Sequence, residues 1–364
     1  MLYHRAYKYR IYPNREQERL IHRTFGCSRF VFNHFLTQWN EKYAATGKGL
    51  TYNSCATVLP ILKKQFEWLR EVDSIALQSA VRHVSDAFER FRSKQNHAPR
   101  YKSRKHPVQS YTTRCTNGNI EVNGNRLKLP KLGVIRFSNS RPVEGRILSA
   151  TVRRNPAGKY FVSIVCEVEM KPLSEVSGDI GIDLGLKTYA VCTDGRSIEN
   201  PGVYRKHERR LAWWQRRMTR RKRGGTNWHK AKRKVARIHE KIACRRGDFL
   251  HKVTTMLIRE NQTISIETLR VTNMLKNPKL AKSISDAAWS EFTRLLTYKS
   301  EWYGRTLKFA PAFASTSQVC HVCGENHPVV KDLAVRQWAC PSCHTIHDRD
   351  ENAAYNIKQA AISK

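Results

Sequence analysis

Apolar and polar residues alternate with a period of two through residues 3–11 (YHRAYKYRI), the pattern of a half-buried strand. Pro13-Asn14 ends the alternation, and Leu20, Ile21, Phe25, Val31, Phe35 and Leu36 then recur near helical spacing. Two further helical patterns, VLPILKKQFEWLREV and IALQSAVRHVSDAFERFRSK, carry this character to about residue 95. Near residue 108 the period changes. NIEVNGNRLKLP carries an Asn123-Gly124 hairpin signal, and ILSATVRRNPAGKYFVSIVCEVE holds two β-rich runs joined by a Pro/Gly turn. These runs predict a small β module, completed by the first strand and interrupted by the helices.

KPLSEVSG, residues 171–178, has the composition of a linker, and DIGIDLGLKTYAVCTDG then predicts strand, turn and strand in a new domain. A helical pattern broken by Gly224-Gly225 fills residues 204–250, TISIETL predicts another buried strand, and DAAWSEFTRLLTYKSEWYG an amphipathic helix. No internal repeat or low-complexity tract interrupts the chain.

Charge changes the picture most. The 364 residues carry 66 Lys and Arg against 30 Asp and Glu, a formal +36, and such a surplus self-repels unless a polyanion neutralises it. Nucleic acid is the natural partner. Residues 204–250 alone hold eighteen basic side chains against three acids, which favours a phosphate-binding face over a merely solvated hairpin. No apolar run approaches the roughly 18 residues of a membrane span, and the first residues lack the apolar centre of a signal peptide. A place in the cytoplasm, at the nucleoid, follows as an expectation, with no membrane partner.

Six of the ten cysteines are scattered, whereas Cys320-x-x-Cys323 and Cys340-x-x-Cys343 stand sixteen residues apart. Two such pairs joined by a short hairpin fit one structural Zn2+ with a closed four-sulfur shell. His321, His327, His344 and His347 are close enough in sequence to leave a Cys3His set open.

Three acids end or begin predicted elements: Asp183 in GIDLG, Glu267 in SIETL and one member of the DRDE cluster. Two carboxylates 4 Å apart repel by about 4 kcal/mol at an effective dielectric near 20, so a converging trio needs cations or protons. Carboxylates brought together by strands and a helix are what a nuclease with two Mg2+ requires. Along a helix from residue 350, Asp350 shares the stripe of Ala353, Ala354, Ile357 and Ala361. Asp348 falls nearly opposite and Glu351 about 100° away, so Asp350 is the inward acid.

YKYRIYPNREQERLIHRTFGCSRFVFNHFL, LQSAVRHVSDAFERF followed by PRYKSRKH, GIDLGLKTYAV, TLRVTNMLKN, CHVCG with CPSC, and DRDENAAYNI occur in an order that resembles the TnpB (OrfB-type) proteins of transposons. The resemblance spans nearly the whole chain. It implies an RNA-guided DNA endonuclease related to compact type V CRISPR effectors, with an α+β multidomain fold. A β-barrel wedge domain (1–14 and 106–172) would be interrupted by a helical recognition domain (15–105). An RNase H-like RuvC domain (178–318 and 345–364) would hold a zinc ribbon (319–344). The implied catalytic and Mg2+-binding set, with Mn2+ as a substitute, is Asp183, Glu267 and Asp350; the zinc set is Cys320, Cys323, Cys340 and Cys343. Tyr52 and Gln78 would contact DNA beside a short flanking motif. The implied partners are a guide RNA from the transposon end, target double-stranded DNA and a separate transposase of the same bacterial or archaeal element. Glycine is frequent in the family where His344 stands. A nuclease-silent guided repressor and a strand-transferring transposase are the alternatives; an actin-like ATPase would lack the zinc pairs and leave +36 unexplained.

Overall fold

The computed structural model describes residues 1–312, 314–332 and 334–362. It comprises two compact units, Met1–Glu169 and Met170–Lys364. In the first, β1 (Leu2–Tyr12) is followed by α1 (Arg15–Thr46), α2 (Tyr52–Gln65) and α3 (Ser74–Arg92). Then come β2 (Gln109–Arg114), β3 (Glu121–Asn123), β4 (Arg126–Leu129), β5 (Gly133–Phe137), β6 (Arg146–Arg154) and β7 (Tyr160–Glu169). The alternation of β1 turns Tyr7, Tyr9 and Ile11 inward. β1 lies inside an antiparallel sheet of order β2-β6-β7-β1-β5-β4-β3, paired along its length with β7 and at its end with β5. The ladder ends at β2 and β3, so the implied barrel is an open one.

Asn14 starts α1 with a capping box: it accepts from Gln17 N at 2.8 Å, and the Gln17 side chain accepts from Asn14 N at 3.1 Å. Thr51 and Ser54 form a second box that starts α2 ahead of the apolar run seen in the sequence. The three helices share a core that includes Val31, Phe35, Leu62, Leu69, Leu77 and Val81. The hairpin between β3 and β4 turns at Gly124-Asn125, with Asn123 paired to Arg126, one residue later than the Asn-Gly signal suggests.

The second unit contains β8 (Asp179–Leu184), β9 (Thr188–Cys192), β10 (Ser197–Glu199), α4 (Arg205–Thr219), α5 (Thr226–Glu260), β11 (Thr263–Glu267), α6 (Val271–Met274) and α7 (Ala281–Ala287). These are followed by α8 (Trp289–Tyr303), β12 (Thr306–Ala310), β13 (Gln337–Ala339), β14 (Ile346–Asp348) and α9 (Arg349–Ile362). A mixed sheet runs β10-β9-β8-β11-β12, with β8, β11 and β12 parallel and β9 antiparallel to both its neighbours, β8 and β10. Ile180, Ile182, Ile264 and Ile266 pack with Leu257, Phe292 and Leu296 from α5 and α8. Buried Arg305 ties the preceding segment down, donating to Ser174 O at 2.9 Å, Ile258 O at 3.0 Å and Gln262 Oε1 at 2.8 Å. No helix of the described residues is long and apolar enough to cross a membrane.

Candidate active site and metal centre

The parallel register pairs Ile182 with Ile266, so Asp183 and Glu267 follow at the carboxyl ends of neighbouring strands. The two isoleucines are buried on one face, and period-two alternation turns the acids to the other. That face is covered by α9. A Cβ on Gly181 would lie 2.3 Å from Ala354 O and 2.7 Å from Lys358 Cβ, so only glycine lets helix and strand approach this closely. Asp183 lies two strand residues beyond Gly181, about 6.6 Å, and Asp350 one helical turn before Ala354, about 5.4 Å. The nearly equal steps bring Asp350 toward Asp183.

Burial raises the Asp183 carboxyl to about 8, reinforced by the charges of Glu267 and Asp350, with Arg349 opposing. Burial likewise raises Glu267 to about 7 against a hydrogen bond from the Leu184 amide. Both carboxyls are therefore protonated more readily than free ones, and a bound divalent cation would compete with those protons. Its oxygens are more widely spread than a single-ion cage, since no group of three here meets the 4.8 Å mutual spacing of the cysteine cluster described below. Asp350 receives a hydrogen bond from Arg336 Nη1, 3.0 Å from Oδ2. Asp348 plays another part: its Oδ1 accepts from the amides of Asp350 at 2.9 Å and Glu351 at 3.2 Å, capping α9. It lies in β14, so the helical phase extrapolated back to it does not apply. Glu351 is exposed.

Cys320, Cys323, Cys340 and Cys343 bring their sulfurs within 4.8 Å of one another. Cys320 and Cys343, like Cys323 and Cys340, are 3.6 Å apart, close to the roughly 3.8 Å between sulfurs on a tetrahedral zinc with 2.3 Å bonds. The four-sulfur set thus fits one Zn2+. Hydrogen bonding with Thr345 lowers the Cys343 thiol to about 6. For Cys323 the Glu325 amide favours the thiolate, but desolvation and the other three sulfurs outweigh it and raise the thiol to about 12. Four thiolates need the cation that would join them. His347 Nε2 and His327 Nε2 lie 3.1 Å from Cys320 Sγ and 3.3 Å from Cys340 Sγ, outside the four-sulfur set. Both knuckles close in the same way. Gly324 N donates to Cys320 O at 2.8 Å with φ 79°, and His344 N to Cys340 O at 2.8 Å with φ 59°. His344 thus takes the left-handed conformation usually left to glycine, at a cost of roughly 1–2 kcal/mol.

Several residues tie this cluster to the acids, and sequence reasoning missed them. Asn352 Nδ2 donates to Val319 O at 2.8 Å while its Oδ1 accepts from His321 N at 3.0 Å. Asn356 Nδ2 donates to Thr316 O at 2.7 Å and Val319 O at 2.6 Å. Buried Arg349 donates to Asp332 O at 3.1 Å. Two asparagines four apart beside an alanine stripe were the available signal for a helix-borne latch. Arg336 left none.

Away from these centres, α4 and α5 form the basic hairpin, closed by Val203, Leu211, Ile238 and Ile242. Cations sit over its tryptophans: Arg217 over Trp213, Lys234 over Trp214 and Lys232 over Trp228. In the other unit Arg82 stacks on Tyr52 at 3.6 Å, and Gln78, one turn away on α3, is exposed.

Three family patterns match the chain: OrfB_IS605, described as "Probable transposase", over residues 163–278; the Cas12f1-like TNB domain over 289–357; and an OrfB_IS605 helix-turn-helix domain over 1–48. In this chain residues 1–48 hold a strand and one 32-residue helix. A "Putative RNA-guided DNA endonuclease" of Streptomyces pristinaespiralis is 41% identical, covering 99% of this chain and 90% of that one. The "Putative RNA-guided DNA endonuclease InsQ" of Escherichia coli K12 is 34% identical, covering 98% and 92%. A Cas12f1 chain from a complex with sgRNA and target DNA aligns over 98% of this chain and 99% of its own, with 15% identity and a TM-score of 0.38. Matched along nearly its entire length by relatives above 30% identity, the chain belongs to the TnpB (OrfB, IS605-type) family.

Proposed function

We propose that the protein is an RNA-guided DNA endonuclease that cuts target duplex beside a short flanking motif. Asp183 and Glu267 at adjoining strand ends, with the charge of Asp350 acting on Asp183, carry this reading, because burial raises both strand carboxyls and a divalent cation would relieve that cost. The names of its relatives supply the guide and the substrate. Two Mg2+ held by the three carboxylates would supply an activated water and stabilise the leaving 3′ oxygen of the phosphodiester. The chain's own part is positioning. β8 and β11 fix two acids in register, Gly181 admits α9, and Arg336 holds Asp350 beside the ribbon. Lys and Arg side chains would hold the strand backbones while base pairing with the guide reads sequence. In this reading the open β-sheet with its helical insertion forms the wedge and recognition domains, and Tyr52 and Gln78 contact DNA near the flanking motif. Presence of all three acids favours a nuclease over a silent repressor. The test is to recover the co-purifying RNA and programme it against a plasmid library randomised beside the target. Guide-dependent cuts with an enriched flanking motif support the reading; joined strands in place of cuts would indicate a transposase.

A further inference from the structure

A cavity of about 380 Å3 opens in the first unit between α1 and the segment 101–110. That volume lies within the roughly 300–1,000 Å3 of small-ligand sites. Phe25, Ser28 and Arg29, on one face of α1 by their spacing, line one side, and Tyr101, Lys102 and His106 another. No carboxylate is among its lining residues. Arg29 donates to the neutral Gln109 Oε1 at 3.1 Å, and burial, then the nearby Arg104 charge, disfavours its cation. The Lys102 ammonium lies 3.9 Å over the Phe32 ring, and the water lost there lowers it to about 8. Ser28 is 6% exposed, yet its hydroxyl has no hydrogen-bond partner. Thr24 and Thr37 on the same helix each donate to the carbonyl four residues back. Tyr101 is 56% exposed, with its hydroxyl 3.1 Å from Thr37 Oγ1.

A simple anion would leave the aromatic wall unused, and an uncharged base would leave the cations unneutralised. We propose that this cavity takes a single nucleotide turned out of a bound strand, with phosphate on Arg29 and Lys102, base on Tyr101, and a sugar or base polar group at Ser28. Stacking on an exposed ring and phosphate contact to cations that no carboxylate neutralises are the two interactions that hold unstacked nucleotides. The inference rests on the guided-nuclease reading above, and the strand is either the guide or the target.

The test uses the full-length protein with its co-purifying RNA and a target duplex, substituted with 4-thiouridine in the RNA or 4-thiothymidine in the DNA. Irradiation should link the peptide containing Tyr101 and Lys102 to one nucleotide, and the substituted strand that reacts identifies the source. Arg29→Gln and Tyr101→Ala should each weaken binding of that strand at least tenfold, while Tyr101→Phe keeps wild-type affinity. The Arg29 variant should also lower the salt slope by about 0.7–0.9, the share of one phosphate contact. Cross-links found only elsewhere on the wild-type protein, or unchanged affinity in both weakening variants, would overturn the proposal. The cross-link is read on wild type, so a poorly folding variant does not blunt it. A wild-type protein that binds no RNA and cuts no DNA overturns the guided-nuclease reading with it; an active wild type with silent variants overturns the cavity alone.

Discussion

Asp183, held at about 8, and Glu267, at about 7, lie above their ordinary values of 3.8 and 4.5 because burial disfavours the carboxylate. A folded-state pKa raised above the unfolded one means the native protein binds more protons. Their contribution to stability is therefore complete below pH 4 and lost as pH rises through 7 to 8. Without added Mg2+, the melting temperature of Asp183→Asn should fall less steeply than that of wild type between pH 5 and 8, and Mg2+ should flatten the wild-type curve. Parallel curves would contradict this electrostatic account. At this scale the sequence was partly legible. Helical phase singled out Asp350 because its register mates Ala353, Ala354 and Ile357 are buried. The role of Asp348 was hidden, because a cap is set by where the helix starts and not by its period. Arg336 was hidden because its partner lies fourteen residues away, across the ribbon.

The contact between α9 and β8 decides the site at the level of elements. Gly181→Val puts side-chain atoms where Ala354 O and Lys358 Cβ already lie, and should lower cleavage at least tenfold and the melting temperature with it, while guide-RNA binding persists. The ribbon is the second such element, since Asn352, Asn356 and Arg336 couple it to the helix bearing Asp350. Removing zinc should abolish cleavage even in excess Mg2+, and zinc but not further Mg2+ should restore it; cleavage by protein shown zinc-free by elemental analysis would refute the coupling. Long elements were legible here because their periods are sustained: β1, α1 and α3 followed the pattern closely, whereas α5 continues to Glu260, past the pattern read to residue 250. The short strands β2 (QSYTTR) and β5 (GVIRF) were missed: β2 takes its place from distant β6, and β5 from distant β1 as well as from β4 just before it in the chain. β12 (TLKFA) likewise takes its place from its parallel partner β11.

Over the whole molecule the surplus of +36 is a self-repulsion that a bound polyanion would relieve. That surplus, the cysteine pairs and the ordered motifs were legible at once because they are properties of composition and spacing. The latches and the cavity beside α1 were not, because they arise only when distant segments pack. The expectation is that Asp350, and not its neighbour Asp348, belongs to the cleaving site. It is tested most directly by comparing wild type, Asp350→Ala and Asp348→Ala, each loaded with the same guide RNA, on a matched target duplex in Mg2+. Cleavage should vanish in Asp350→Ala with RNA binding intact, and persist in Asp348→Ala, which loses only a helix cap of about 1 kcal/mol. Wild-type cleavage by Asp350→Ala would contradict the account.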